Sequence, residues 1–181
     1  MKTLILWGDI LLAHATKSHV LFLEEKLLNN YDVYNCAVGG WDSRDILKKT
    51  PYITKLKPDV ILISIGTNDA SPWKQVLLNE FIDNLNTVIG LFNESRIVFF
   101  PPMPIDESKQ QPDKQRTNVL QKQYYDAVVQ LCLENDIEYV KSWAVFSELL
   151  ERNKEYLVED GVHLNDLAYE TLFSKVAEIL I

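Results

Sequence analysis

Short apolar runs alternate along the chain with longer segments in which apolar residues recur every three or four positions. The apolar runs are rich in β-branched and aromatic residues, which is typical of buried strands. They predict five strands, at residues 3–7, 32–38, 59–65, 96–100 and 137–140. The segments between them have the spacing of helices that pack on a core.

The clearest helical pattern begins at Ser71-Pro72. Serine is a favoured N-cap residue and proline suits the first helical position, so a helix is predicted to start there. Its apolar positions have roughly helical spacing and are Val76, Leu77, Phe81, Leu85 and Val88. Further helices are predicted at about 17–29, 43–50, 117–134 and 165–180, the last with Asn165 as its N-cap.

Strands that alternate with helices and are apolar throughout indicate a parallel sheet covered on both faces. The predicted fold is a three-layer α/β/α sandwich with a five-stranded parallel sheet, of the flavodoxin-like type. The length of 181 residues, with 47% hydrophobic and 24% charged residues, is right for one domain with a sizeable core. We therefore expect a single domain over residues 1–181.

Polar and glycine-rich segments follow the predicted strands. They read GDI after the first strand, GGWDS after the second and GTND after the third, and EDGVH precedes the last helix. In parallel α/β sheets ligands bind beyond the carboxyl ends of the strands. These four segments are therefore expected to meet at one edge of the sheet.

Charge and targeting signals narrow the class of partner. The formal net charge of -8, with acids and bases mixed along the chain, argues against nucleic acid or an anionic membrane as partner. No apolar run reaches the ~18 residues of a membrane span, and Gly8-Asp9 interrupts the N-terminal run that a signal peptide would need. Cys36 and Cys132 have neither metal spacing nor disulfide density, so free thiols and a cytoplasmic location are expected.

Four of these segments resemble the motif blocks of the SGNH or GDSL family of serine ester hydrolases, in the family's order. Gly8-Asp9 is similar to the start of the first block, and Asn35 to Gly40 resembles the glycine block. The sequence GTND at 66–69 matches the GxND block, and DGVH at 160–163 matches the DxxH block. Each block taken alone is also typical of an ordinary turn or cap.

The resemblance implies a role for each matching residue. It implies that His163 is the general base and that Asp160 orients it. It implies an oxyanion hole made of the Ile10 backbone amide, the Gly40 amide and the Asn68 side chain. Gly8, Asp9, Gly66 and Asp69 would support these groups. The resemblance implies no cofactor and no metal ligand.

Position 10 departs from the family pattern, because Ile10 stands where the family has its nucleophilic serine. Other candidate nucleophiles by chemistry are Ser43, Thr67, Ser71 and Cys36. Ser43 and Ser71 are also expected to cap helices, and each of the four lies on a different loop or strand. Water activated by His163 is a further route.

Three classes of function stay open from the sequence. The first is a scaffold that binds a small acyl ester, an acetylated carbohydrate or a protein without forming an acyl-enzyme. The second is a hydrolase that uses water or another nucleophile. The third is an ordinary serine esterase in which Ile10 is a sequence variant. The oligomeric state and the substrate are left open.

Several flanking residues have two interpretations. Trp41 and Trp73 flank the glycine and asparagine loops and are expected either to wall a pocket or simply to pack. The proline-rich, charged segment 101–116 is either a lid or a surface excursion. His14 and His19 are expected to be solvated or packed rather than catalytic.

Overall fold

A computed structural model describes residues 1–152 and 154–181 of the chain. Its strands are β1 (Lys2–Gly8), β2 (Tyr31–Asn35), β3 (Val60–Ser64), β4 (Arg96–Phe100) and β5 (Glu138–Tyr139). They form one sheet in the order β2-β1-β3-β4-β5, and every neighbouring pair is parallel. The five-stranded parallel sheet predicted from the apolar runs is confirmed.

Helices cover both faces of this sheet. They are α1 (Ile10–Ala13), α2 (Lys17–Lys26), α3 (Ser43–Ile53), α4 (Leu78–Leu91), α5 (Asn118–Glu134), α6 (Ser142–Glu151) and α7 (Asp166–Leu180). Short 3₁₀ turns lie at Thr54–Leu56 and Glu107–Lys109. None of the helices in the described part of the chain is long and apolar enough to cross a membrane.

The two sheet faces build two separate cores, because successive side chains on a strand point to opposite sides. On β1, Leu4 and Leu6 face the core formed with α1, α2, α6 and α7. Ile5 and Trp7 face the core formed with α3, α4 and α5. Since all four side chains are almost fully buried, β1 is a central strand and the molecule has three layers.

The predicted start of the fourth helix at Ser71 is wrong. Helix α4 begins at Leu78, and Leu77 precedes it without a side-chain cap. The Ser71 hydroxyl donates to the carbonyl of Thr67 (3.1 Å), and the Val76 amide donates to the carbonyl of Asp69 (3.1 Å). These bonds fold the segment back on itself, so local side-chain and turn bonding replaces the expected helical turn.

Two helices escape sequence prediction. Helix α1 has only four residues, too few for a periodic pattern, and α6 buries only Ser142 and Phe146. The cap of α7 is confirmed, since the Asn165 side chain accepts from the amide of Ala168 (3.0 Å). The expected cap at Ser43 is wrong, because Asp42 is the N-cap of α3 and Ser43 is its first residue.

Candidate functional site

The turn that follows β1 places Ile10 at the carboxyl edge of the sheet. Gly8 has φ +139°, and a Cβ there would lie 1.9 Å from the carbonyl oxygen of Ser64, so only glycine fits. The buried Asp9 caps α1 by accepting from the amide of Leu11 (3.2 Å), and it also accepts from the Ser64 hydroxyl (2.8 Å). Ile10 is therefore the first residue of a helix whose entry is rigidly fixed.

A carboxylate–imidazole pair lies in the loop before α7. Asp160 accepts a hydrogen bond from Nδ1 of His163 and also accepts from the backbone amides of Val162 (2.9 Å) and His163 (3.0 Å). Partial burial works to raise the pKa of Asp160, but these hydrogen bonds outweigh it and lower the pKa. The arrangement fixes the imidazole tautomer and leaves Nε2 for chemistry.

A tight turn holds this pair in place. Gly161 has φ +73°, and a Cβ on it would lie 2.4 Å from the carbonyl oxygen of Asp106. The Gly161 carbonyl in turn accepts from the amide of Asp106 (2.9 Å). The loop that contains Asp160 and His163 is therefore bonded to the segment that follows β4.

A cavity of about 500 Å³ brings Ile10, Asp160 and His163 together. The remaining lining residues are Trp73, Lys109, Gln110, Gln111, Lys114, Arg116, Glu159 and Val162. Among the described residues that line this cavity there is no serine, threonine, cysteine or tyrosine. The described lining of the cavity therefore offers no side-chain hydroxyl or thiol as nucleophile.

Gly40 and Asn68 lie outside the set of residues that line this cavity. One hydrogen of the Asn68 side-chain amide is donated to the carbonyl of Trp41 (2.8 Å), and its oxygen accepts from Arg116 (3.3 Å). Within the described chain, the backbone amides of Ile10 and Gly40 donate to no protein acceptor. Two amides and one side-chain N–H are thus available, although the three sites are not gathered around the one cavity.

The loop 66–69, which contains Asn68, is held in place by contacts of Gly66, Asp69 and Ser43. Gly66 has φ +115°, and a Cβ there would press on the ring of Pro102 at 2.7 Å. The carboxylate of Asp69 accepts from the amide of Ser43 (2.9 Å), which ties this loop to the start of α3. Burial raises the pKa of Asp69 to about 7 and also raises the pKa of Asp9.

The candidate replacement nucleophiles lie outside the lining of the cavity. Ser43 is buried and its hydroxyl accepts from Asn84 (3.1 Å), whereas the hydroxyl of Ser71 accepts from Arg116 (2.8 Å). Thr67 is buried, and burial raises the pKa of the Cys36 thiol, which disfavours the thiolate. None of these four residues lines the cavity.

His14 lies beside the pair although the sequence analysis set it aside. Its ring centroid is 4.4 Å from that of His163. Burial lowers the pKa of His14, and the neighbouring His163 lowers it further. A neutral His14 therefore packs on the imidazole without adding charge. His19 is packed instead, with its ring stacked on Tyr169 and bonded to Asp166 (3.0 Å).

Arg116, the last residue of the proline-rich segment 101–116, was not predicted from the sequence as a site residue. Its Nε donates to the Ser71 hydroxyl (2.8 Å) and to the carbonyl of Thr67 (3.4 Å), and its guanidinium stacks 4.7 Å from the ring centroid of Trp73. The segment is a cavity wall, because Lys109, Gln110 and Lys114 also line the cavity. The only signal in the sequence for a cavity residue at this position was a basic side chain in a segment rich in proline and glutamine.

Comparison with known proteins agrees with the fold. Residues 11–171 match the model of the GDSL-like Lipase/Acylhydrolase family. The chain belongs to this family. The GDSL-family chain is 28% identical over 164 residues to the GDSL esterase/lipase CPRD49 of Arabidopsis thaliana, covering 79% of this chain and 64% of that protein.

Two further relatives are similar over most of their length. The isoamyl acetate-hydrolyzing esterase of Saccharomyces cerevisiae is 26% identical over 172 residues, with 85% of this chain and 72% of that protein covered. The lipase/acylhydrolase from Enterococcus faecalis superposes with a TM-score of 0.91 at 20% identity, covering 99% of the GDSL-family chain and 95% of the other. The chain spans less than two thirds of the Arabidopsis relative.

Proposed function

We propose that the GDSL-family chain binds a small acylated molecule, an acyl ester or an acetylated carbohydrate, in the cavity beside Ile10 and forms no acyl-enzyme with it. One observation carries the proposal. The cavity contains the pair Asp160–His163, yet within the described chain no lining side chain has a hydroxyl or a thiol. An acyl-enzyme requires such a nucleophile.

Carbonyl binding is supported by hydrogen-bond donors on Ile10, which lines the cavity, and on Gly40 and Asn68, which lie outside its lining. The unpaired amides of Ile10 and Gly40 and the remaining N–H of Asn68 are of the kind that hold a carbonyl oxygen. In this proposal Gly8, Asp9, Gly66 and Asp69 position those donors. The yeast relative, named for hydrolysing an acetate ester, supports a small acyl group as the recognised feature.

Slow hydrolysis by water is the second candidate, because the Asp160–His163 pair is intact. In this route Nε2 of His163 takes a proton from a water molecule that attacks the bound carbonyl, and the oxyanion donors hold the developing charge. The tetrahedral intermediate then breaks its bond to the alcohol oxygen, which receives the proton from His163 and leaves as the alcohol, and the acid is released. Removing the serine of a triad protease costs about 10⁶ in turnover, and the residual acceleration over water is about 10³–10⁴. Binding is therefore the better account of the cavity.

The free thiols of Cys36 and Cys132 support a cytoplasmic location as part of the same proposal.

Restoring the nucleophile tests the proposal. We expect Ile10→Ser to gain covalent labelling by a serine-reactive organophosphonate and hydrolysis of p-nitrophenyl acetate, because the fixed turn after Gly8 presents Oγ toward His163. The parent chain is expected to stay unlabelled. Intact-mass spectrometry and a release assay for p-nitrophenol measure the two effects.

Ile10→Ala is the matched control, since it removes similar volume without adding an oxygen. Both variants are expected to lose roughly 2–4 kcal/mol of stability, which circular dichroism and urea unfolding can follow. The gain should vanish in Ile10→Ser combined with His163→Ala. Stoichiometric labelling of the parent chain, lost on His163→Ala, would show that another nucleophile acts and would overturn the proposal.

A further inference from the structure

The cavity wall contains a cation whose burial is only partly compensated. Burial lowers the pKa of Arg116, and the charges of Asp9 and Asp160 oppose this shift without reversing it. The Arg116 guanidinium is partly buried, and in the described part of the chain no carboxylate oxygen lies within 4.0 Å of it. Its Nε and Nη2 donate to Ser71, Thr67 and Asn68, all of which are neutral. Removing a charge from water without a counter-ion is costly, so its position calls for an anion.

One nitrogen of this guanidinium is left for a ligand. Among the described residues no acceptor takes a hydrogen bond from Nη1 of Arg116. Stacking on Trp73 fixes the plane of the group, and the backbone of Arg116 is clamped at both ends. Its amide donates to Oε1 of Gln110 (2.7 Å), and its carbonyl accepts from Nε2 of Gln110 (3.1 Å). The donor is therefore held in place before a ligand arrives.

Two lysines extend the positive wall. Lys114 has no carboxylate partner within 4.0 Å in the residues that the structure describes. Lys109 is held only loosely, 3.7 Å from Asp106 and 3.6 Å from Glu155. Three cations thus line one cavity in a chain whose net charge is -8, which favours an anion at this point of the surface.

The acidic residues that line the cavity, Asp160 and Glu159, do not neutralise the positive charge of this wall. Asp160 is engaged by Nδ1 of His163 and by two backbone amides, and its charge opposes the lowering of the Arg116 pKa by burial without reversing it. Glu159 is exposed, where water screens its charge. The cationic wall and the imidazole lie on the same cavity, so one small molecule can meet both.

We infer that the cavity takes an acylated molecule that also carries an anionic group, a carboxylate or a phosphate, and that Arg116 with Lys114 holds that group. The inference rests on the proposed function for the acyl part and on the cationic wall for the anionic part. Arg116 is then a specificity-determining residue that selects acylated acids over neutral esters.

Calorimetric titration of the parent chain with four probes separates recognition of the acyl group from recognition of the anionic group. The probes are acetoxyacetate, its neutral methyl ester, glycolate and inorganic phosphate. We expect acetoxyacetate to bind about 10- to 100-fold more tightly than its methyl ester, because a charge-assisted hydrogen bond is lost in the ester. Competition between phosphate and glycolate decides which anion the wall prefers.

Arg116→Met keeps the stacking bulk and removes the charge, and it should abolish the preference for acetoxyacetate over the ester. Arg116→Lys should restore part of the preference. Lys114→Gln removes one positive charge from the cavity wall. Its charge-matched control is Lys48→Gln, because Lys48 is an exposed lysine on α3 outside the cavity. Circular dichroism confirms that each variant is folded.

The outcomes distinguish this inference from the proposed function. Equal binding of acetoxyacetate and its ester, or a preference that survives Arg116→Met in a folded protein, overturns the anionic site. Equal binding of glycolate and acetoxyacetate leaves the anionic site standing and removes acyl recognition. Binding of none of the four probes to the folded parent chain overturns the inference.

Discussion

Asp9 and Asp69 are two buried acids in the loops at the site. Each has one carboxylate oxygen without a hydrogen-bond partner among the described residues. Burial raises both pKa values, and the charges of Asp9 and Asp42 raise the pKa of Asp69 further. The folded state therefore prefers the protonated form of Asp69.

Because the pKa of Asp69 is raised in the folded state, the free energy of unfolding should fall as the pH rises from about 4 to about 7. The folded pKa of Asp69, about 7, lies above its unfolded value of about 3.9, so the unfolded state loses its proton first. The contribution of Asp69 is complete below pH ~4, is lost between pH ~4 and ~7, and is then constant. We expect a slope of up to about 1.4 kcal/mol per pH unit from this group.

Asp69→Asn tests this directly, because it keeps an oxygen that accepts from the Ser43 amide and removes the titration. Urea unfolding at pH 5, 6 and 7 is expected to show a smaller loss of stability in the variant than in the parent chain. Parallel pH profiles in the two proteins would mean that Asp69 is ionised throughout.

At the scale of elements, the caps decide where the loops of the site begin. The Asp42 side chain accepts from the amides of Arg44 (3.0 Å) and Asp45 (3.2 Å). The Asp45 side chain in turn accepts from the amide of Asp42. This capping box fixes the start of α3 directly after Gly40 and Trp41. The glycine loop is thus held from its helical side.

Asp42→Ala is expected to cost about 1 kcal/mol of unfolding free energy, within the range of 0.5–2 kcal/mol for lost N-caps. Asp83→Ala makes the same chemical change at an exposed position inside α4, so it should alter stability by less than about 0.5 kcal/mol. Thermal and urea unfolding of both variants provide the comparison. An equal loss in the two would show that the box adds nothing.

At the scale of the whole molecule, contacts between the two ends of the chain fix the position of α1. The hydroxyl of Tyr169 on α7 donates to the carbonyl of Leu11 (3.0 Å), and Tyr169 is almost fully buried. This bond links the helix that begins with Ile10 to the helix that follows His163. The relative position of the two halves of the site therefore depends on it.

Tyr169→Phe should lower the unfolding free energy by roughly 1–3 kcal/mol, because the carbonyl of Leu11 loses its buried donor. Tyr34→Phe is the control, since the Tyr34 side chain is 55% exposed and should give little change. Urea unfolding measures both. If the two variants match the parent chain, water replaces the lost hydroxyl and the ends are not coupled through this bond.

The sequence by itself determined the sheet, because the three central strands β1, β3 and β4 contain continuous apolar runs that only a doubly covered position can bury. It also located Asp160 and His163, since three residues of chain already bring the carboxylate to the imidazole. The N-cap at Asn165 was equally local.

Only the tertiary structure decided what surrounds that pair. Arg116 reaches Ser71 and Asn68 across 45 and 48 residues of chain, a distance over which no periodic pattern carries information. The bonds of Ser71 to Thr67 and Arg116 likewise explain why α4 starts at Leu78 rather than at Ser71. Local spacing encodes burial and caps, whereas the cavity wall arises from contacts between distant segments, which form only when the sheet has brought its loops together.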